Sequence, residues 1–382
     1  MKKKTRFRLF AVCAPGLEEI LSDELSSLGI QGKKTTGGVE FSGDLMTLYS
    51  TNLWLRTASR ILVRIGTFPL SRLDKARKRF SRYPWEIYLG QSEMVRIRAS
   101  CHKSRIYHTG ALSQRLVQGI SDRLGKKIRL VSEERGKRSP LVFVRVVKDQ
   151  CVLSADSSGE HLHKRGFKKL SVRAPLRENL AAAMLIASGY DGSMPLFDPF
   201  CGSGTICLEA AMIAARVPPG KRRTFAFMKW KGFDRGLWNE VVSHSEGFFV
   251  MPRFPIIGFD KDEAAINSSI SNAVAGGLDQ LVTFEQKDFA TIDPKAYACS
   301  RGLVVTNPPY GKRLKENHGL LSFYKEFGQL FKKRFPAWDI SLIIPSNAPM
   351  LRKSLNLHLR HLARFSHGGL SVELLSSIAK KG

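Results

Sequence analysis

The chain has 382 residues, 43% of them hydrophobic, with 61 Lys+Arg against 33 Asp+Glu, a formal net charge of +28. That length is enough for two or three domains with cores of their own. The charge points to a polyanionic partner, and the absence of any apolar run approaching a bilayer span argues against a membrane protein. The six cysteines, Cys13, Cys101, Cys151, Cys201, Cys207 and Cys299, form no CxxC pair, which argues against a zinc site or a disulfide framework. No metal is expected, and the cysteine usage fits the reducing cytoplasm. The charge is uneven: residues 1–170 hold 34 basic and 15 acidic residues, about +19, so nucleic acid is expected at that half.

The basic start and the short run Leu9–Ala14 read as a first strand, not a signal peptide, because the apolar stretch is too short. Pro15-Gly16 then opens a helix with Glu18 and Glu19 in its first turn, where the dipole favours acids. Leu17, Leu21, Leu25 and Leu28 carry it to Gly29. A short strand at Val39–Phe41, a helix from Leu45 to about Thr57 and a strand at Ile61–Ile65 complete a small α+β unit. Residues 70–155 are strongly basic, with Arg77, Lys78 and Arg79 near Phe80, Tyr83 and Trp85, and Lys126 and Lys127 ahead of Arg135, Lys137 and Arg138. Cations interleaved with aromatics suit phosphate contact and base stacking. Val95-Arg96-Ile97-Arg98 alternates like a half-exposed strand, 107–124 reads as a helix and Leu141–Val147 as a strand. A polar, basic connector follows, including His161, His163, Lys164 and Arg165, with no third ligand to make the histidines a metal site.

From Pro175 the pattern becomes alternating buried strands and helices, which implies a parallel sheet. A strand ending at Asp198 runs into the small-residue loop Pro199-Phe200-Cys201-Gly202-Ser203-Gly204, and a helix starts at Thr205. Strand, tight glycine loop and helix bring backbone N–H groups close to a ligand. No Gly-Lys-Ser/Thr is present, so a phosphate-binding P-loop is excluded, and an acid at the strand end suits a cation better than a pyrophosphate. A second strand ends in Asp260-Lys261, where the acid can accept ribose hydroxyls. A third, Leu281–Phe284, leads to Asp288-Phe289, which can bracket an adenine. The fourth, Leu303–Val305, leads to Asn307-Pro308-Pro309-Tyr310. Asn307 offers a side-chain carbonyl and Pro308 a backbone carbonyl, two acceptors for a planar amine. Tyr310 offers a ring face for a base. Four polar strand ends in this order specify an S-adenosyl-L-methionine (SAM) site, with Asp198, Pro199, Phe200, Cys201, Gly202, Ser203, Gly204, Thr205, Asp260, Lys261, Asp288, Phe289 and Asn307 lining the cofactor.

With these motifs the chain resembles the THUMP-domain RNA guanine-N2 methyltransferases, most of all the bacterial enzymes that act on 23S rRNA. Further matching stretches are Pro15–Glu19, Gly37–Phe41, Asn52–Arg60, Leu162–Phe167, Ala174–Glu178 and Thr306–Gly311. Phe200 departs from the methionine usual in the family, an apolar exchange. The resemblance implies a ferredoxin-like unit over 1–65, a THUMP RNA-binding domain over 66–160 and a Rossmann-like methyltransferase domain over 161–382. It implies methyl transfer to guanine N2 with Asn307, Pro308, Pro309 and Tyr310 as the catalytic group, and RNA contacts from Arg77, Lys78, Arg79, Lys126, Lys127, Lys164 and Arg165. Arg222, Arg223, Phe225, Phe227 and Trp230 are expected to line the RNA side of the site, and deletion of 1–160 to remove RNA affinity. A monomer is the simplest expectation. The residues leave open tRNA guanine-N2 or DNA adenine-N6 methylation, and a non-catalytic RNA-binding role.

Overall fold

The computed structural model describes residues 6–132, 136, 139–167, 176–310 and 317–377. Arg135, Lys137, Arg138, Ala174, Pro175 and Gly311 lie outside them. The first half builds one mixed sheet from β1 (Phe7–Val12), β2 (Gly32–Thr35), β3 (Gly38–Gly43), β4 (Arg60–Pro69), β5 (Met94–His102), β6 (Arg129–Leu130), β7 (Leu141–Val147) and β8 (Gln150–Asp156). Their order is β2-β3-β1-β4-β8-β7-β5-β6. The joint is β4, which pairs with β1 on one side and β8 on the other and continues beyond Ile65 through a bulge at Arg64/Gly66. Helices α1 (Glu18–Ser27), α2 (Leu45–Trp54), α3 (Ala76–Phe80), α4 (Trp85–Leu89) and α5 (Thr109–Leu124) accompany it. Strand alternation sends Leu9, Ala11, Val63, Val142, Val144, Leu153 and Ala155 into the core.

The second sheet contains β9 (Leu196–Asp198), β10 (Ile256–Asp260), β11 (Thr283–Gln286), β12 (Gly302–Thr306), β13 (Trp338–Pro345), β14 (Arg360–His367) and β15 (Leu370–Ser376). The order is β11-β10-β9-β12-β13-β15-β14. The first five strands are parallel and β15 is antiparallel to β13, closing a hairpin with β14. The helices are α6 (Glu178–Ala187), α7 (Thr205–Ala214), α8 (Arg235–Glu246), α9 (Glu263–Gly276), α10 (Asn317–Arg334) and α11 (Pro349–Leu355). This is the expected Rossmann-like α/β arrangement following an α+β region. The four expected strands are present with three more after them, and β11 starts later than expected because Leu281 closes a turn onto Leu278 O. The chain leaves β9 in both directions across the sheet, to β10 and to β12, which makes the carboxyl end of β9 the switch point where such sheets bind ligands.

The two sheets share one hydrophobic core running from Leu9 to Leu374. Arg165 is 2 % exposed and ion-pairs with Glu209, itself fully buried on α7, through Nε at 2.8 Å and Nη2 at 3.1 Å. The same guanidinium donates to Leu162 O and Arg56 O, and Arg56 donates to Met212 O and Val217 O. Arg165 is therefore a latch between the halves, buried with its donors turned to Glu209 and backbone carbonyls rather than to RNA, a correction to its expected role. The stretch expected to face RNA is corrected as well. Phe225, Phe227 and Trp230 are buried, with Phe227 stacked on Tyr49 of α2 at 4.6 Å. Arg223 donates to Glu160 O and His161 O, and Arg222 to Ala275 O. Deleting 1–160 therefore strips a core face rather than removing an independent RNA arm.

Glu209→Ala leaves the Arg165 guanidinium buried without its carboxylate and should cost about 3–5 kcal/mol in urea unfolding. Replacing both partners by leucine should recover most of that. An unchanged unfolding midpoint for Glu209→Ala would show that the pair does not hold the halves together.

Candidate active site at the carboxyl ends of the second sheet

The loop after β9 is shaped by its own short-range chemistry. Asp198 Oδ1 accepts from Phe200 N at 3.2 Å, turning the chain out of the strand, and from Thr306 Oγ1 at 2.7 Å, tying it to the end of β12. Cys201 N donates to Phe259 O, and Gly202 N to Asp260 Oδ2 at 3.0 Å, so the loop is stitched to β10. Gly204 has φ +78°, and a Cβ there would sit 2.7 Å from the Phe284 ring. Only glycine permits that approach. From behind, Ser269 Oγ donates to Gly202 O and Asn272 Nδ2 to Ser203 O. These two residues of α9 were not singled out in the sequence; their only signal was spacing on one helix face. Ser203, 2 % exposed, keeps a buried Oγ with no hydrogen-bond partner among the described residues.

The expected cofactor acids occupy different environments. Asp198 is 1 % exposed, and burial lifts its carboxyl to about 7. The Thr306 and Phe200 hydrogen bonds pull the other way, and the Asp260 charge adds to the rise. Asp260 is partly exposed, with Oδ1 accepting from Asp262 N, and Lys261 next to it is exposed. Asp288 is exposed and caps the turn Phe289–Thr291 through Ala290 N. Phe289 does not bracket a ligand with its ring. It is 5 % exposed and packs on Phe327 at 4.7 Å, because the residue after Asp288 turns back into the core beneath β10 and β12. Phe200, half-buried, lies above this cluster, 6.0 Å from Phe289.

The tetrad leaves β12 directly after Thr306, which is fully buried. Asn307 is partly exposed, yet its Oδ1 is buried and has no hydrogen-bond partner among the described residues. An unpaired buried carbonyl costs about 1–3 kcal/mol. A ligand N–H removes that cost. Pro308 is buried and Pro309 and Tyr310 are partly exposed, with the Tyr310 ring edge-on to His367 at 6.5 Å. The site thus presents a glycine-lined cradle, acids at two strand ends and an amide acceptor, all at the switch point. Arg77, Lys78 and Arg79 on α3, and Lys126 and Lys127 after α5, lie in the helical layer of the first sheet. Arg77 is paired with Asp122 at 2.7 Å, Lys126 donates to Gln91 O, and the exposed Lys164 pairs with Glu160.

Residues 165–369 match the UPF0020 family, described as "RMKL-like, methyltransferase domain", and residues 8–62 match the "RlmL ferredoxin-like domain". The chain is 36% identical over 348 residues to the ribosomal RNA large subunit methyltransferase K/L of Methylococcus capsulatus, covering 87% of this chain and 46% of that protein. It thus spans about half the length of the K/L relatives it matches. Over 96% of its length it is 32% identical to slr0064 of Synechocystis, which carries the name of an RNA methyltransferase and is covered over 95%. Among solved structures, SMU.472, named as a methyltransferase and solved in complex with S-adenosylhomocysteine (SAH), aligns over 100% of both chains at 27% identity with TM-score 0.85. A Listeria monocytogenes protein named as an N6-adenine-specific DNA methylase aligns over 97% of this chain and 96% of its own, at 29% identity with TM-score 0.83. On the family match and the identity over most of its length, the chain belongs to the UPF0020 family of RMKL-like methyltransferase domains.

Proposed function

We propose that this chain is a SAM-dependent methyltransferase that methylates the exocyclic N2 amine of a guanosine in RNA, with 23S rRNA as the favoured substrate. The observation that carries the reading is the orphaned, buried Asn307 Oδ1 beside the glycine cradle. The basic first half and the K/L relatives favour RNA, and rRNA over tRNA. A DNA adenine-N6 activity is the second reading, favoured by the Listeria neighbour's name and by a tetrad that suits any planar amine. We take 1–65 as the ferredoxin-like unit, 66–160 as the THUMP RNA-binding domain and 161–382 as the methyltransferase domain, acting in the cytoplasm.

Bound SAM supplies an electrophilic methyl group on a sulfonium. The protein's task is to orient the nucleophile. Guanine N2 is a poor nucleophile because its lone pair is delocalised into the ring. Asn307 Oδ1 and the Pro308 carbonyl accept the two N–H bonds, localise the lone pair and hold it in line, so positioning supplies most of the rate and electrostatics the rest. The two prolines fix φ and keep both acceptors in place before the base arrives. Tyr310 stacks on the extruded base. Gly202, Ser203 and Gly204 admit the methionine portion, Asp260 holds the ribose and Asp288 the adenine edge. Asp198 holds the loop and offsets the sulfonium charge. Lys78, Arg79, Lys126, Lys127 and Lys164, with Arg77 beyond its pair, are exposed enough to meet phosphates.

Asn307→Ala should leave SAM affinity within a few fold in calorimetry while lowering methyl transfer by at least about a hundredfold. Transfer near the wild-type rate would remove Asn307 from the mechanism.

Asp198 binds its proton more tightly in the folded chain than in the unfolded one, between the ordinary 3.8 and about 7. That contribution is present at low pH and is lost as pH rises through this window. A sulfonium favours the ionised carboxylate, so SAM should bind more tightly from about pH 6 to about pH 8, and SAH, lacking that charge, should gain less. Asp198→Asn should erase the difference. Parallel pH profiles for SAM and SAH with the wild-type chain would contradict the assignment.

A further inference from the structure

The open face of the first sheet has a composition that the catalytic site does not use. The registers place Arg98 beside Phe143, Phe143 beside Ser154 and Ser154 beside Arg64, all on one face by strand alternation. Their neighbours Val142, Val144, Leu153 and Val63 point the opposite way, into the core. Arg145 lies opposite Ser100 on the same face, and Arg8, Phe10, Glu40 and Lys33 extend it across β1, β3 and β2. Arg8, Lys33, Arg98 and Arg145 are exposed. Among the described residues of this face, Glu40 is engaged by Arg64 and Asp156 is buried against Arg60. Two guanidiniums lie over rings: Arg64 over Phe10 at 4.2 Å and Arg98 over Phe143 at 5.9 Å.

A solvated basic face needs no cavity, yet one of about 520 Å³ opens beside the free edge of β5. It lies at the sheet edge, lined by Ile97, Arg98, Ala99, Ser100 and the partly exposed Phe143 of the sheet, and by Thr109, Gly110 and Ser113 from the start of α5. The cavity is of ligand size, with an aromatic face, a cation and the positive end of a sixteen-residue helix converging on it.

The connector that follows the first sheet stands among cations. His161, in the connector, feels Arg60, Arg98, Arg177 and Lys164 together, and after burial these cations push its imidazole down to about 4. Arg177 stands at the N-terminal boundary of α6 and makes no side-chain capping hydrogen bond. The carboxyl end of α6 feeds β9, so its start lies on the ligand side of the second sheet.

We infer that a single-stranded segment of the substrate RNA lies on this open face, with a base on Phe143 in the cavity beside α5 and its phosphates on Arg98 and Arg145. Sequence-tolerant stacking plus backbone neutralisation is the binding mode this composition supports. The inference rests on the RNA reading above and adds where the RNA is held.

The test uses the full chain and a short fluorescein-labelled single-stranded RNA in an anisotropy titration at two salt concentrations. The double reversal Arg98→Glu/Arg145→Glu should weaken binding at least about tenfold and flatten the salt dependence. Phe143→Ala should weaken it about fivefold or more. Lys126→Glu/Lys127→Glu, in the helical layer, should weaken it less than the open-face reversal does, and SAM affinity should stay within twofold in every variant. Gly110 has open space around it, so Gly110→Trp offers a block without charge change, expected to weaken RNA binding with an unaltered thermal midpoint. RNA affinity insensitive to the open-face variants overturns the inference, and sensitivity confined to Lys126 and Lys127 moves the RNA to the helical layer. A wild-type chain that binds SAM but no RNA fails the functional reading itself, and the inference with it.

Discussion

The hydrogen bond from Thr306 Oγ1 to Asp198 Oδ1, 2.7 Å long and fully buried, joins the two parts of the chain that must act together. One end fixes the turn that begins the glycine loop; the other is the last residue before the acceptor tetrad. Because β9 pairs with both β10 and β12, the loop, Asp260 and the tetrad emerge side by side at one edge of the sheet. Displacing that contact would move the acceptor carbonyl relative to the loop, and in-line transfer tolerates little displacement. The elevated Asp198 pKa follows from the same burial: the carboxyl is held where its charge is costly until a cation arrives.

The first half is attached to this machinery rather than tethered to it. Arg165 and Glu209 connect the end of the basic region to α7, the helix that starts at the cofactor loop. Tyr49 stacks on Phe227 at the same interface and accepts from Asp234 N. A rigid attachment gives the open face of the first sheet a fixed direction with respect to the tetrad.

Which parts were legible in the sequence follows from where their determinants lie. The glycine loop, the strand-end acids and the tetrad are local: each is a strand followed at once by residues whose backbone chemistry dictates the turn. They stand where expected. Arg165 reads as one more cation in a basic connector, and only Glu209, far along the chain, turns it into a buried latch. Phe289 follows an exposed acid in sequence, but its ring belongs to a core completed by Phe327 and Phe335 of α10. Phe225 and Phe227 sit among basic residues, and their burial depends on Tyr49 and Trp238. The alternation at Arg96–Arg98 signalled an outer cation at Arg98, whereas Arg96 is buried and donates to Ser139 O. It did not reveal Phe143 and Arg145 beside it, since a parallel pairing has no local signature.

The central claim is that Asn307 and Pro308 present the N2 amine of a guanine in RNA for methylation. It is tested most directly by incubating the purified chain with labelled SAM and rRNA lacking its modifications, then identifying the labelled nucleoside by mass spectrometry. The account predicts N2-methylguanosine at a single position in the large-subunit rRNA. Label found instead in N6-methyladenosine, or in no nucleoside while SAM binds normally, would contradict it.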